Sequence, residues 1–461
     1  MAKEESKKTN KRKWIYAKKP SGTLYNYRQI VGYVLLAILF ILPFIKINGE
    51  PFLMFNILER KFVVFGQVFW PQDMHIFLFA MLIVMVMVVL FTAVFGRIWC
   101  GWTCPQTIFM ELIFRKIEYW IEGDFNQQKK NNVKPWSSEV RIRKIIKHII
   151  FFLISLFISH IFLAYIIGID ALIEIITDPI DEHLLGLVSI LLFAFIFYFV
   201  FSYIREVVCI AICPYGRLQG VLMDEKTLNI AYDFNRGEPR GKIRKSDTNS
   251  VKGDCIDCNL CVHVCPTGID IRKGSQMECV NCTACIDACD AVMEKIGKPK
   301  KLIGFYSENE LNQEKPKGKN IRSWAYSFLL IALLGAFFWL LFSRTLIDGT
   351  LLRATGTTYQ MRDDQVVTNL YTLELINKTH EDKEFELVPA DPRYSIQLVN
   401  QLEKLKKGEN HKISLFLITD QENIQSYKSD VVLNIVVDGK IVENLKTTFI
   451  GPPVGGSQYH K

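Results

Sequence analysis

Eight cysteines between Cys255 and Cys289 stand in two copies of one frame, C-x2-C-x2-C-x3-C, and that frame leaves this stretch few ways to fold. The first copy holds Cys255, Cys258, Cys261 and Cys265; the second holds Cys279, Cys282, Cys285 and Cys289. Three thiolates two residues apart on a tight loop reach three irons of one [4Fe–4S] cube, while the fourth points toward the neighbouring cube. One cluster then takes Cys255, Cys258, Cys261 and Cys289, and the other takes Cys279, Cys282, Cys285 and Cys265. Pro266 follows the first copy, whereas Asp290 holds the matching place in the second, a change that leaves the ligands intact. Zinc also uses C-x2-C pairs, but a duplicated x2-x2-x3 frame suits tetrahedral coordination poorly. The frame predicts an α+β ferredoxin domain of bacterial type, with two clusters that carry single electrons.

A soluble ferredoxin does not need the rest of this chain. Half of the 461 residues are hydrophobic, and they gather in blocks: Ile76–Phe95, Leu184–Ile204 and Trp324–Phe342 carry no charge, and Ile149–Ile169 is interrupted only by serines and His160. A fifth block, Gln29–Ile47, contains Pro43. Each approaches the roughly 20 residues that a helix needs to cross hydrocarbon. The pattern predicts five transmembrane helices.

Lysine and arginine number nine in residues 1–28, ten between the second and third helices and nineteen between the fourth and fifth. Only three fall between the first and second, counting Lys46, and none in Asp170–Glu182. The positive-inside rule places the N-terminus in the cytoplasm and the C-terminal part outside. It also accounts for the net charge of +8 without nucleic acid as a partner. All twelve cysteines fall on the predicted cytoplasmic side, which suits thiolate metal sites in a reducing compartment. The basic start lacks a small-residue cleavage site after its first apolar block, so it does not read as a removable signal.

The chain thus reads as a multi-domain membrane protein in five parts: a basic tail (1–28), four transmembrane helices (29–225), the ferredoxin domain with its linkers (226–319), a fifth helix (320–344) and an exoplasmic β domain (345–461). The tail reads as disordered beyond its aromatic residues. Gln106–Ile121 has an amphipathic pattern expected to lie along the inner membrane surface, and Phe125–Ser138 reads as a loop. Lys226–Gly253 and Glu294–Lys319 read as connectors. Beyond Arg344, period-two alternation predicts strands at Val366–Ile376, Glu384–Val388, Tyr394–Val399, Ile413–Ile418 and Val431–Val437, with a hairpin turn at Val437–Lys440. These strands suggest a small antiparallel sandwich. The sequon Asn377–Thr379 is expected only to mark a strand end.

The other four cysteines form matching C-x3-C-P motifs, Cys100 with Cys104 after the second helix and Cys209 with Cys213 after the fourth. On a helix this spacing puts both sulfurs on one face, and the proline is expected to end the helix there. His75 and His183 stand at the outer ends of the same two helices, so the pair looks like an internal duplication. If the four cysteines meet, they form an S4 site for a cluster or a soft metal such as Cu(I); the blander alternative is four buried cysteines acting as small hydrophobes. His75, His183, Met81 and Met85 are further metal candidates, although such methionines more often fill packing positions. His148 and His160 lack the matching partners that haem requires.

On these residues the chain resembles the CcoG (FixG, RdxA) family of cytochrome c oxidase accessory proteins. The likeness covers nearly the whole length: five helices, Gly96–Pro105, the partner motif Cys209–Gly216, the doubled ferredoxin frame and the exported β domain. The first half also resembles membrane ferredoxin subunits of nitrate and nitrous oxide respiration. The resemblance implies an immunoglobulin-like C-terminal sandwich and a bacterial inner-membrane location with that domain in the periplasm. It implies reduction of Cu(II) to Cu(I) for assembly of a cbb3-type oxidase, with Cys100, Cys104, Cys209 and Cys213 as the reducing site. Partners would be oxidase assembly factors or copper chaperones, membrane lipid and an electron donor the sequence does not identify. Two alternatives stay open: a quinol-linked respiratory electron-transfer subunit, and a non-redox assembly scaffold.

Overall fold

All five apolar blocks fold as helices in the computed structural model. It describes residues 14–133, 135–179, 181–242, 252–313, 321–345, 347–354, 356, 358–362, 365–379, 381–399, 404–437 and 439–452. The basic residues before Trp14 and the turn residue Asp438 lie outside the described residues. The helices are α1 (Thr23–Ile41), α2 (Met74–Phe95), α3 (Ser138–Ile167), α4 (Leu184–Phe199, running on as a wider turn to Ile204) and α5 (Ile321–Phe342). All are long and apolar enough to cross a membrane. Ser137 caps α3 by accepting from the Val140 amide, and Gly168, at φ 86°, ends it. Trp324, Phe328, Trp339 and Phe342 of α5 are exposed, as lipid-facing residues are.

The chain divides into two compact units, residues 1–45 with 77–336 and residues 46–76 with 337–461. The first unit is centred on Phe114, Phe151, Ile158 and Phe201. Phe114 stacks on Phe201 at 4.9 Å and meets Phe151 edge-on at 4.9 Å. Phe114 belongs to Pro105–Glu122, so this segment does not lie along a surface as its amphipathic pattern suggested. It runs through the core, and its polar face is buried as well. Glu111, Arg115 and Glu118 are each less than a tenth exposed, paired with one another and with Arg205, Glu206 and Lys147. Periodicity identifies two chemical faces but not what each face meets; here the charged face meets other charges.

Three further expectations are corrected. Residues 14–28 are ordered: the Lys18 amide donates to the His263 carbonyl, Tyr119 Oη donates to the Ala17 carbonyl, and α1 begins at Thr23 rather than near Gln29. Phe125–Asn131 is a helix capped by Asp124 rather than a loop. The two connectors pair with each other, Asn229–Tyr232 antiparallel to Ile303–Tyr306, and close the ferredoxin domain over Ile230, Ile271, Ile286, Met293 and Leu302.

Among the described residues, the second unit contains an antiparallel sandwich of eight strands. Its strands are β1 (Ile347–Arg353), β2 (Gln360–Arg362), β3 (Val366–Asn377), β4 (Phe385–Pro389), β5 (Ser395–Leu398), β6 (Asn410–Asp420), β7 (Lys428–Val437) and β8 (Lys440–Ile450). One sheet has the order β5-β6-β3-β1 with β2 also on β3, and the other has the order β4-β7-β8. Alternate residues of β3 and β6 face inward, and Tyr371, Leu373, Leu375, Leu415 and Leu417 are wholly buried. The sequon Asn377 ends β3, buried, with its amide donating to the Glu381 and Leu405 carbonyls. The sequence reading missed a three-stranded sheet in the loop after α1, Leu53–Asn56, Lys61–Val64 and Gln67–Phe69. Asp73, at the end of that loop, is buried between Lys378 and Arg344, at 2.7 Å from each.

Candidate metal centre

The two ferredoxin loops repeat in backbone as well as in sequence. Asp257 and Asn281 precede the second cysteine of each copy, Asn259 and Thr283 follow it, and all four have φ between 51° and 66°. Left-handed residues alternating with right-handed ones turn successive amides inward, which suits an anionic sulfur-rich group. Two cavities of nearly equal size sit inside these loops. Cys265, Cys279, Cys282 and Cys285 line the first, beside Ile230, Ile271 and Val280. Cys255, Cys258 and Cys289 line the second, beside Tyr232, Val292 and Leu302, and Cys261 reaches both. The structure thus gathers the cysteines in the crossed pattern the spacing predicts. Burial pushes the Cys279 thiol up to about 12 and Cys289 likewise, with neighbouring cysteines adding to it. Thiols crowded in apolar surroundings gain a stable thiolate form by binding a soft metal. Four thiols around the second cavity, four around the first besides the shared Cys261, and no carboxylate lining either fit one [4Fe–4S] cluster apiece.

Both C-x3-C motifs break a helix rather than ride on one. After α2, Gly96 turns the chain, the short helix Ile98–Trp102 carries Cys100, and Cys104 caps the next helix with Pro105 in its first position. After α4, Arg205 adopts φ 55°, and Cys213 caps the helix Pro214–Leu222. Each proline follows the end of one short helix, Ile98–Trp102 or Val208–Ile212, as expected, and also starts the next, because its missing N–H costs nothing in the first turn. For Cys104 the consequence is chemical: the amides of Gln106 and Thr107 favour its thiolate, against burial, which pushes the thiol up.

Cys100 and Cys209 pack on one apolar patch with Cys282, Val264, Val280 and Ala284. Burial raises Cys100 to about 11, with Cys104 and Cys213 adding to it. Cys209 is raised to about 12 by burial and by all three other motif cysteines. The four thiols thus form one electrostatic group, and Cys100 donates to Gln219 Oε1 at 3.3 Å. They do not gather His75, His183, Met81 or Met85. His75 lies in the first turn of the 22-residue α2, and Met81 and Met85 expose their side chains on that helix. His183 instead stands 3.0 Å from Asp178, and with Glu182 these offer ligand atoms within 4.8 Å of one another.

Several residues that join the ferredoxin to the motifs escaped the sequence reading. Arg97, buried, donates to the carbonyls of Met277, Cys279 and Gly216, and so ties both motifs to the second loop. Arg28 Nε donates to the Gly101 carbonyl at 2.7 Å. Gly101 itself has no room for a side chain: a Cβ there would stand 2.5 Å from the Val280 carbonyl oxygen. Asp287 accepts from the amides of Leu24 and Tyr25, at 3.2 and 2.7 Å, and so caps α1 from 263 residues away. An arginine before each motif, Arg97 and Arg205, was the available signal for the first of these; Asp287 had none. Arg205 binds Glu118 through two hydrogen bonds of 3.0 and 2.9 Å. Burial opposes the Glu118 charge, but Arg205 and Lys147 outweigh it and hold the carboxyl down to about 2.

Comparison with known proteins matches three parts of the chain. Residues 77–126 match a family described as a 4Fe-4S binding domain, residues 204–308 a 4Fe-4S dicluster domain, and residues 337–452 an IG-like fold at the C-terminal of FixG. Protein RdxB of Cereibacter sphaeroides is 34% identical over 397 residues, 82% of each chain. Protein RdxA of the same organism is 33% identical over 387 residues, 81% of each. Nitrogen fixation protein FixG of Rhizobium meliloti is 34% identical over 308 residues, 64% of this chain and 57% of that one.

Proposed function

The chain belongs to the FixG and RdxA family of membrane iron–sulfur proteins, and on that premise we propose that it reduces Cu(II) to Cu(I) for assembly of a copper-containing cbb3-type cytochrome c oxidase. The observation that carries this reading is the shared apolar patch on which Cys100 and Cys209 meet the ferredoxin cysteine Cys282. A thiol group that abuts an electron-carrying domain suits a metal that changes valence more than one that does not. Two [4Fe–4S] clusters supply one-electron transfer at low potential.

The residues have distinct tasks. Cys255, Cys258, Cys261 and Cys289 hold one cluster, and Cys279, Cys282, Cys285 and Cys265 the other. Val264, Val280 and Ala284 keep water from the join, and Arg97 fixes its geometry. Cys100, Cys104, Cys209 and Cys213 receive copper as the substrate. Each Cu(II) takes one electron to become Cu(I), and thiolate sulfur, a soft ligand, favours the cuprous product over the cupric substrate. The N-terminus and ferredoxin face the bacterial cytoplasm, and the sandwich faces the periplasm, where its sheet edges are available to a copper chaperone or an oxidase assembly factor.

The test is anaerobic reduction of the purified, cluster-loaded chain followed by rapid mixing with Cu(II), with cluster absorbance and a cuprous chelate followed together. Reoxidation in step with Cu(I) is the expected result, and it is lost when all four motif cysteines are changed to serine while the clusters remain. Clusters that stay reduced in the presence of Cu(II) rule the reading out.

A further inference from the structure

A groove between α3 and α4 is used by nothing described above. Ile149, Phe152 and Leu153 of α3 and Phe195 of α4 wall it, and its polar end holds His148 and Tyr198, whose Nδ1 and hydroxyl oxygen lie 2.9 Å apart. Both helices are of membrane-spanning length and composition, so whatever enters the groove arrives dissolved in the bilayer. We propose that the groove binds a membrane quinol, the two-electron reductant for the copper reaction; the inference rests on that proposed activity and names its donor.

The polar end matches a quinol and its product. In either tautomer of His148 the pair presents one hydrogen-bond donor and one acceptor: the acceptor takes a quinol hydroxyl, and the donor holds a quinone carbonyl. Ser202 Oγ, 3.3 Å from the same ring nitrogen, can steady the imidazole as it exchanges roles. The aromatic walls suit a flat ring, and the apolar run along α3 suits an isoprenoid tail. Lys147, the residue before His148, is buried between Glu122 at 2.9 Å and Glu118 at 3.5 Å, and Glu118 continues to Arg205. Protons leaving the quinol pass first to the His148–Tyr198 pair, the polar groups that bond its hydroxyls. The overall reaction balances as one quinol and two Cu(II) giving one quinone, two protons and two Cu(I): both O–H bonds break and each copper gains one electron.

An anionic phospholipid is the competing occupant, because Arg141 and Lys144 line the mouth. Lys144 is already engaged, with its Nζ 2.9 Å from Asn132 Oδ1, 4.0 Å from Glu122 and 4.7 Å from the centre of the Trp136 ring. The His148–Tyr198 pair lies one turn further along α3, and Lys147, the cation beside it, is already held by Glu122 and Glu118. Quinol therefore fits better.

The test labels the full, cluster-loaded chain in phosphatidylcholine nanodiscs with an azidoquinone and maps the adducts by mass spectrometry. Labelling is expected within 145–153 and 195–202, competed by unlabelled quinone. His148→Leu and Tyr198→Phe each lower it at least tenfold, and His160→Leu, on the same helix outside the groove, leaves it unchanged. Cluster absorbance confirms that each variant is folded. Adducts elsewhere, or labelling indifferent to both variants, overturn the proposal. Competition by phosphatidylglycerol that depends on Arg141 and not on Tyr198 also overturns it and makes the groove a lipid site. Copper reduction by the dithionite-reduced chain needs no quinone, so the copper reading and the quinol reading fail separately.

Discussion

The two cysteine loops of the ferredoxin share their spacing and backbone but not their surroundings. In the first, Cys258 is exposed, and Arg272 is matched by the carboxylates of Asp257 at 2.6 Å and Asp270 at 2.8 Å. In the second, Cys282 is buried, Gly101 presses on Val280, and Arg97 donates to carbonyls rather than to acids. A guanidinium balanced by carboxylates has little net effect on its neighbours, whereas one balanced only by dipoles acts almost as a whole charge. Duplication of the frame preserved the ligand geometry, and docking against the membrane motifs made one copy electrostatically distinct.

The strongest way to break this comparison is at Gly101. Gly101→Val drives a side chain into the Val280 carbonyl and is expected to cost the second loop its cluster, leaving about half the iron, since each loop set holds one cube. Iron analysis with electron paramagnetic resonance reads this directly; two intact clusters would mean the docking is not tight. A smaller effect separates the arginines. Arg97→Gln removes a positive charge that favours the more negative, reduced state, so one of the two midpoint potentials is expected to fall by about 60 mV, a tenfold change for one electron. Arg272→Gln is expected to move its cluster less than half as far, because Asp257 and Asp270 already offset that charge. Equal shifts in a redox titration would erase the distinction. The smallest effect is at Asp287, which caps α1 from the second loop's helix. Asp287→Ala is expected to weaken the cap by about 1 kcal/mol, read as about fivefold faster hydrogen exchange at the Leu24 and Tyr25 amides.

What could be read from the sequence followed local rules. Cysteine spacing determined the two cluster sets, because three ligands on one tight loop need no distant partner to define them. Apolar length determined the five helices, and alternation located most of the strands in the sandwich. The sheet at Leu53–Phe69 escaped because its strands are too short for alternation to show. Pro105 and Pro214 each close one short helix as the sequence predicts, but that each also opens the next was hidden, since only the chain's direction beyond the proline decides it. The burial of Glu111, Arg115 and Glu118 in the core was equally hidden, since an amphipathic pattern states polarity and not partner. The join between ferredoxin and membrane motifs belongs wholly to the tertiary structure. Gly101 with Val280, Arg97 with Met277 and Leu24 with Asp287 are contacts across 179 to 263 residues. No local periodicity or spacing encodes a contact of that range; it exists only once the helices have set the two cysteine regions side by side.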